Sequence, residues 1–268
     1  MKSRDAKMIA RRGGPQFGLG ITGESVGKYA IIAGDPERIR LIGDHLDGAE
    51  ELGSNREFTT WGGTYRGTYV VACSHGIGTS GASIVVEELA EMGVTHIVRV
   101  GTTAALQAGM EPGDITISTG AMRNDGTTPF YVKKGFPAVP DHFLTHALIE
   151  AAVEMRKKVP FKLFVGPNAC NEAFYGEVPG LIDMMSKQHQ LLNVDMESAA
   201  VFTVGYLRGV RTAFVAAIAA NLLAYEAGPT IDARIKIDEA IDIALEALYR
   251  CDQAQTLADQ VDQPLFAE

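Results

Sequence analysis

A sheet covered by helices on both faces, the three-layer α/β/α arrangement, is what this sequence predicts. Three observations carry that expectation. Several short runs are apolar throughout, as strands buried on both faces are. Those runs alternate with alanine-rich or amphipathic stretches that read as helices. No Ser-, Gly- or Pro-rich linker divides the 268 residues, so a single domain is expected, with 16–250 as its extent and 1–15 and 251–268 as flexible tails.

Tyr29 to Ala33 is an apolar run that ends at Gly34-Asp35-Pro36. It reads as a buried strand entering a helix, because Asp35 suits an N-cap and Pro36 the first helical position. Thr68 to Ser74 reads as a second strand. Thr79 to Met92 reads as a helix closed by Gly93. His96 to Val100 and Asp114 to Thr119 are further strands, the latter after a Pro112-Gly113 turn. Asp141 to Met155 reads as a helix with Leu144, Leu148 and Ala152 on one face. Phe161 to Val165 is a strand, Glu197 to Leu207 a helix, and Thr212 to Ala220 an all-apolar strand. Ile231 to Tyr249 is amphipathic, with Ile237, Ile241, Leu245 and Leu248 as its buried stripe. The segment after Tyr249 is polar and reads as a loosely held tail.

Composition narrows the function classes. Hydrophobic residues make up 46% and charged residues 21% of the chain, enough to bury a core. The net charge of -9 argues against a nucleic-acid or anionic-membrane partner. It still permits a small anion held by a local arginine cluster. The three cysteines, Cys73, Cys170 and Cys251, form no C-x-x-C pair, so no zinc or thiol-redox motif is written. The first 15 residues are basic but lack an apolar core like that of a signal peptide. The longest apolar stretch, from about Thr212 to Ala227, is too short and interrupted to span a bilayer. A cytoplasmic protein is expected.

Three segments carry chemistry. Gly76-Ile77-Gly78-Thr79-Ser80-Gly81 fits G-x-G-x-x-G between a strand and a helix, where a dinucleotide fingerprint would sit. A tight strand-to-helix turn explains the same glycines equally well. Arg38 lies one turn into the helix that starts at Gly34, and Arg99 closes another strand ahead of Gly101-Thr102-Thr103. Ligands bind at the C-terminal ends of strands in such sheets, so the two guanidinium groups can converge there on an anion. Asp195-Met196-Glu197 puts two carboxylates at a helix start. A carboxylate there can hold a vicinal diol, or simply complement the helix dipole.

Seven strings resemble one family in order and register: GDPERI (34–39), NREFTTW (55–61), SHGIG (74–78), EELAEMG (87–93), RVGTT (99–103), FPAV (136–139) and DMESA (195–199). Together they are similar to the nucleoside phosphorylase-I family, and most of all to its uridine phosphorylase branch. The resemblance runs from about Gln16 to about Leu248. It implies a central mixed β-sheet and phosphate-dependent cleavage of a nucleoside N-glycosidic bond, with free base and (deoxy)ribose 1-phosphate as products. It implies inorganic phosphate as co-substrate, and neither cofactor nor metal. It also implies a dimer-based homo-oligomer, commonly a hexamer, with shared active sites.

The resemblance implies roles residue by residue. Gly34, Arg38, Arg99 and Thr102 would hold phosphate, with Arg56 reaching in from a neighbouring subunit. Met196 and Glu197 would grip the ribose, and Arg38, Arg99 and Glu197 would carry the catalysis. Gln16 stands where the family has a histidine on the 5′-hydroxyl. Thr103 and Phe174 would lie against the base. Glu57 and Ile77 match positions that hold a monovalent cation in some members.

The base side departs from the pattern. Phe174-Tyr175 is followed by Gly176-Glu177-Val178-Pro179-Gly180, without the Gln-x-Arg by which uridine phosphorylases read uracil. Asn221-Leu222 stands where the pyrimidine branch has an arginine and the purine branch an aspartate. An altered, more apolar base pocket is therefore expected, with Glu177 and Asn221 as its new polar contacts. The alternatives are a purine nucleoside phosphorylase, a water-using nucleosidase, or a nucleoside- or phosphate-binding protein with little catalysis. A dinucleotide-dependent oxidoreductase is the distant fourth.

Overall fold

The computed structural model describes residues 14–176, 178–223 and 236–261. One nine-stranded mixed sheet organises them, in the order β2-β3-β4-β1-β5-β8-β7-β6-β9. Strands β1 (Tyr29–Ala33), β4 (Thr68–Ser74) and β5 (His96–Ala105) run parallel side by side. Strands β6 (Ile115–Asn124), β7 (Leu163–Asn171), β8 (Asn193–Asp195) and β9 (Arg211–Asn221) complete the far half. There β9 pairs with both β5 and β6, and β8 pairs with both β5 and β7. The far half of the sheet therefore curls round on itself as a five-stranded ring.

Each face of the sheet is covered. Alternate residues of β1 show why both faces are apolar: Tyr29, Ile31 and Ala33 face one core, Ala30 and Ile32 the other, as strand pleating requires. The first core takes α1 (Pro36–Asp44), α3 (His142–Met155) and α6 (Ile237–Asp252) through Ile39, Leu144, Leu148, Ile241 and Leu245. The second takes α2 (Thr79–Glu91) and α5 (Ser198–Arg208) through Val85, Leu89, Val201 and Phe202. The sandwich is the three-layer one expected, and the mixed sheet is the one the family resemblance implies.

Local chemistry sets the helix starts. The Asp35 carboxylate accepts from Glu37 N at 2.9 Å, with Pro36 opening α1. Asp141 accepts from Leu144 N at 2.8 Å at the head of α3. Gly209 closes α5 at φ 69°, in the left-handed region that glycine adopts without strain.

Several boundaries differ from the sequence reading. β5, β6 and β7 each continue past the expected strand end, to Ala105, Asn124 and Asn171. The continuations carry polar residues, and those of β6 and β7 pair with each other while that of β5 pairs with β9. β2 (Asp47–Asn55) and β3 (Phe58–Tyr65) form an antiparallel hairpin that no apolar run announces. A short turn, α4 (Leu181–Asp183), runs into a π-helical turn over Met184–Gln188. The expected loose tail is partly folded. α6 continues to Asp252, whose carboxylate accepts from Thr68 Oγ1 at 2.6 Å. Thr256 and Asp259 then cap a short 3₁₀ turn over Leu257–Gln260. The start of the expected final helix, 231–235, and the chain ends at 1–13 and 262–268 lie outside the described residues.

Candidate active site

The site grows from the C-terminal ends of three adjacent parallel strands. Register places Ala33 of β1 beside Ser74 of β4, and Ile32 of β1 beside Arg99 of β5. The residues that follow, Gly34 and His75, therefore meet beside Arg99. His75 N donates to Ala33 O at 2.9 Å and locks the two strand ends together. A side chain at position 34 would meet Gly76 O at 3.1 Å and His75 Cε1 at 3.7 Å, so glycine is required by close approach.

Arg38 projects from the first turn of α1 and is 9% exposed. Its Nη1 donates to Val100 O at 3.4 Å. Burial, and then the neighbouring Arg99 charge, push the Arg38 guanidinium down to about 10. A second cation that depresses Arg38 out of solvent makes a place that an anion relieves. Arg99 is 4% exposed. Its Nη2 pairs with Glu197 Oε2, and its Nη1 lies 3.3 Å from Asp195 Oδ2. The Arg99 plane also lies over the Phe214 ring at 4.5 Å, a cation–π contact.

Glu197 is the residue just ahead of α5 and is 5% exposed. Its Oε1 accepts from Gly78 N at 2.7 Å. Asp195 is the brace behind it. Asp195 Oδ2 accepts from Glu197 N at 3.1 Å and Ser198 N at 2.8 Å, and Oδ1 from Ser198 Oγ at 2.6 Å and Asn168 Nδ2 at 3.0 Å. Burial pushes the Asp195 carboxyl up, against the pull of Arg99 and the Ser198 bonds. Met196 lies between the two carboxylates and is half-buried.

The glycine pattern at 76–81 has a structural explanation. Gly76 and Gly78 have φ of 70° and 98°. A side chain at position 81 would come within 2.1 Å of His75 O. The pattern thus makes the tight turn from β4 into α2, and Gly78 lends its amide to Glu197. No dinucleotide role is needed to account for it.

The remaining expected site residues fall in two groups. Thr102 is half-buried on β5, on the same side as Val100. Arg56 sits in the β2–β3 turn at φ 56°, exposed, with its guanidinium 5.9 Å from the Phe17 ring centroid. Among the described residues no hydrogen bond or ion pair joins Arg56 to Arg38 or Arg99. Glu57 and Ile77 are both exposed, Ile77 at 82%. Gly76 lies beside the Glu57 side chain, where an added Cβ would come 3.1 Å from Glu57 Cγ. Among the described residues no three His, Cys, Asp or Glu side chains gather as a metal site.

Gln16, Thr103 and Asn221 are each engaged by their surroundings. Gln16 is 4% exposed, folded into its own turn by Gln16 N to Ile21 O and Gly20 N to Gln16 O, both at 2.9 Å. Its neighbour Phe17 is the outward residue, at 63%. Thr103 Oγ1 donates to Val194 O at 2.6 Å and ties β5 to β8. Asn221 Nδ2 donates to Gln107 O at 2.9 Å and to Met110 O at 2.8 Å, and its Oδ1 accepts from Leu223 N at 2.9 Å. Both of its amide hydrogens are spent on backbone, so it braces the end of β9 and has no donor left for a base. Glu177 lies outside the described residues.

Phe174 and Tyr175 stand edge to face at 4.9 Å and are 63% and 94% exposed. Their loop is anchored by Glu172, which the sequence reading did not single out. Glu172 Oε2 accepts from Thr79 Oγ1 at 2.5 Å and from Gly126 N at 3.1 Å. His75 and Asp195 were likewise not given roles. The sequence signal for His75 was membership of the SHGIG string, and Asp195 was already one of the two carboxylates read at a helix start. A cavity of about 530 Å³, lined by Gln107, Ser186, Lys187, Gln190, Leu192 and Leu223, opens beside Asn221 and is lined by none of the arginines.

The fold and site define an α/β protein with a buried two-arginine cradle facing a braced carboxylate. Residues 28–252 match the model of the phosphorylase superfamily, and the chain belongs to that superfamily. It is 36% identical over 230 residues to a guanosine phosphorylase of Halorubrum lacusprofundi, covering 83% of this chain and 93% of that one. It is 34% identical over 248 residues to a uridine phosphorylase of Thermococcus kodakarensis, covering 87% and 88%. Among solved structures it resembles uridine phosphorylase from Vibrio fischeri ES114 complexed with 6-hydroxy-1-naphthoic acid, with a TM-score of 0.78 and 28% identity over 88% of this chain and 97% of that one.

Proposed function

We propose that this protein is a nucleoside phosphorylase, a pentosyltransferase that uses inorganic phosphate to release a free base and form (deoxy)ribose 1-phosphate. The observation that carries the reading is the buried Arg38–Arg99 pair set against Glu197. Superfamily membership and relatives named as uridine and guanosine phosphorylases support it. Gly34, Arg38, Arg99 and Thr102 hold the phosphate. Glu197 takes the 2′- and 3′-hydroxyls, with Met196 as an apolar wall. On binding, phosphate replaces Glu197 as the partner of Arg99, which frees Oε2 for the sugar.

The chemistry needs little beyond placement. The C1′–N bond breaks through an oxocarbenium-like sugar, as in glycoside cleavage. A phosphate oxygen below C1′ stabilises that cation and then bonds to it, an interaction that strengthens toward the transition state. The departing base takes up a proton. Arg56, exposed at a hairpin tip beside exposed Phe17, completes the cradle of a neighbouring copy in a dimer-based oligomer, a hexamer by family resemblance. Glu57 and Ile77 lie on that same surface, where the family resemblance puts a monovalent cation. The described residues contain no helix long and apolar enough to cross a membrane, and we place the activity in the cytoplasm.

The base pocket is an altered one, built on Phe174 and its loop rather than on an arginine or aspartate at position 221. A purine is the second reading, favoured by the relative named guanosine phosphorylase. Both are tested by one panel: uridine, thymidine, inosine, guanosine and adenosine, with and without phosphate, following free base. Phosphate-dependent release is expected from at least one of them. Release at equal rate without phosphate would sink the phosphorylase reading in favour of a nucleosidase. Uridine cleaved as well as every other nucleoside would remove the altered-pocket reading.

A further inference from the structure

His75 is wholly buried at the end of β4, yet one of its ring nitrogens has no partner among the described residues. Its Nδ1 lies 2.8 Å from Gly76 O. A carbonyl oxygen only accepts, so Nδ1 carries the hydrogen, and Nε2 is a bare acceptor in the neutral ring. Neutrality is enforced by burial, with Arg99 and Arg38 adding to it, which together hold the imidazole well below its usual value. The ring edge packs against Gly34, with Cε1 the nearest atom to that turn.

The unpaired atoms at this spot are complementary. Arg99 Nε is a buried donor without a hydrogen bond, Arg99 Nη1 has only its 3.3 Å ion-pair contact with Asp195 Oδ2, and His75 Nε2 is a buried acceptor without a hydrogen bond. They do not bond to one another. Buried polar atoms are almost always satisfied, and a group that accepts from the arginine and donates to the imidazole would satisfy both. Monohydrogen phosphate does both, since it has three charged oxygens and one P–OH. Sulfate has the same size and charge and no hydrogen to donate.

We propose that His75 Nε2 accepts the P–OH hydrogen of the bound phosphate and so makes the site select monohydrogen phosphate over dianions of equal size that lack an O–H. The inference rests on reading Gly34, Arg38 and Arg99 as the phosphate cradle. Sites built to bond a hydroxyl reject analogues lacking it more strongly than sites that merely fit the shape, because the site's own polar atom is then left unpaired.

The test needs no variant at first. Binding of inorganic phosphate, sulfate and monofluorophosphate to the full chain is measured by calorimetry near neutral pH. Phosphate is expected to bind at least about tenfold more tightly than either of the other two, the scale of one unpaired buried acceptor. In His75→Leu the ratio should fall toward one, chiefly through weaker phosphate binding, with sulfate affinity changed by less than about threefold. Equal binding of all three anions to the unaltered protein would overturn the role of His75 while leaving the cradle standing. Binding of none of them would remove the cradle reading and this inference with it. Because the unaltered protein decides, a misfolded His75→Leu would not rescue the idea.

Discussion

The proposed phosphate-and-sugar side of the site and its proposed base side are built on opposite principles. Arg38, Arg99, Asp195 and Glu197 are each at most 9% exposed, and their partners come from five different elements. Phe174 and Tyr175 sit on a loop and are mostly exposed. Of the two polar base contacts the sequence reading expected, Asn221 gives its amide hydrogens to backbone. A site that must hold a dianion and steer an oxocarbenium ion gains from charges fixed before the substrate arrives. A site that only has to recognise a flat ring tolerates an open aromatic loop. The contrast implies that variation in substrate choice is accommodated on the loop side without touching the chemistry.

The comparison is easiest to break at Arg99. Arg99→Ala should lower phosphorolysis by about a thousandfold, the scale of a lost transition-state donor. It should also destabilise the fold by about 3 kcal/mol, because Asp195 and Glu197 are left buried beside an absent cation. Steady-state kinetics and a melting curve test both. A variant with near-normal turnover would show that the cradle is elsewhere. Glu197→Gln keeps the bond from Gly78 N through its amide oxygen but loses the charge. It should cost about ten- to a hundredfold in kcat/KM, as charged hydrogen bonds do, with the loss concentrated on ribonucleosides that carry both hydroxyls.

Two paired substitutions sharpen the contrast. Phe174→Ala should raise the nucleoside KM about tenfold, the scale of one base–aromatic stack, with the melting temperature unchanged. Asn221→Ala should do the reverse. It leaves Gln107 O and Met110 O without their donor, at about 1 to 2 kcal/mol, and the ranking of bases should stay as it was. A changed ranking in the Asn221 variant would return that residue to the base pocket.

The smallest effect concerns acidity. Burial holds His96 down from the usual 6.5 to about 4, and His75 well below its usual value. A histidine depressed in the folded state contributes stability that is present above its usual value and lost as pH falls toward the folded one. Melting temperature should therefore decline from about 6.5 downward, and His96→Gln should flatten part of that slope. His45 opposes this. Its bond to Asp242 raises it, so its contribution is present at low pH and is lost as pH rises through the raised value.

Much of the fold was legible in the residues. β1 and β4 have the expected bounds because their residues are apolar on both faces and end at a glycine or polar turn. α1 was legible from Asp35 and Pro36, a capping signal that is local. The β2–β3 hairpin was not, since Asp47–Asn55 is mostly exposed and polar and is held by pairing to β3 rather than by burial. The chain segment after Tyr249 was misread for the same reason: Thr256 and Asp259 look like tail residues until they cap one another.

The site divides the same way. The sequence by itself determined the identity of the charged groups and their placement at strand ends, because glycine turns, N-caps and apolar runs depend on near neighbours along the chain. Only the tertiary structure decided how those groups act together. Arg99 and Glu197 are 98 residues apart and pair at the C-terminal ends of the strands. Asn221 reaches 111 and 114 residues back to two carbonyls, so its amide hydrogens brace the end of β9. His75 gains its meaning from register, since β4, β1 and β5 set their C-terminal ends, with His75 and Arg99, side by side. Whether a polar atom is free or spent depends on partners distant in sequence, which only the folded chain brings within hydrogen-bond reach.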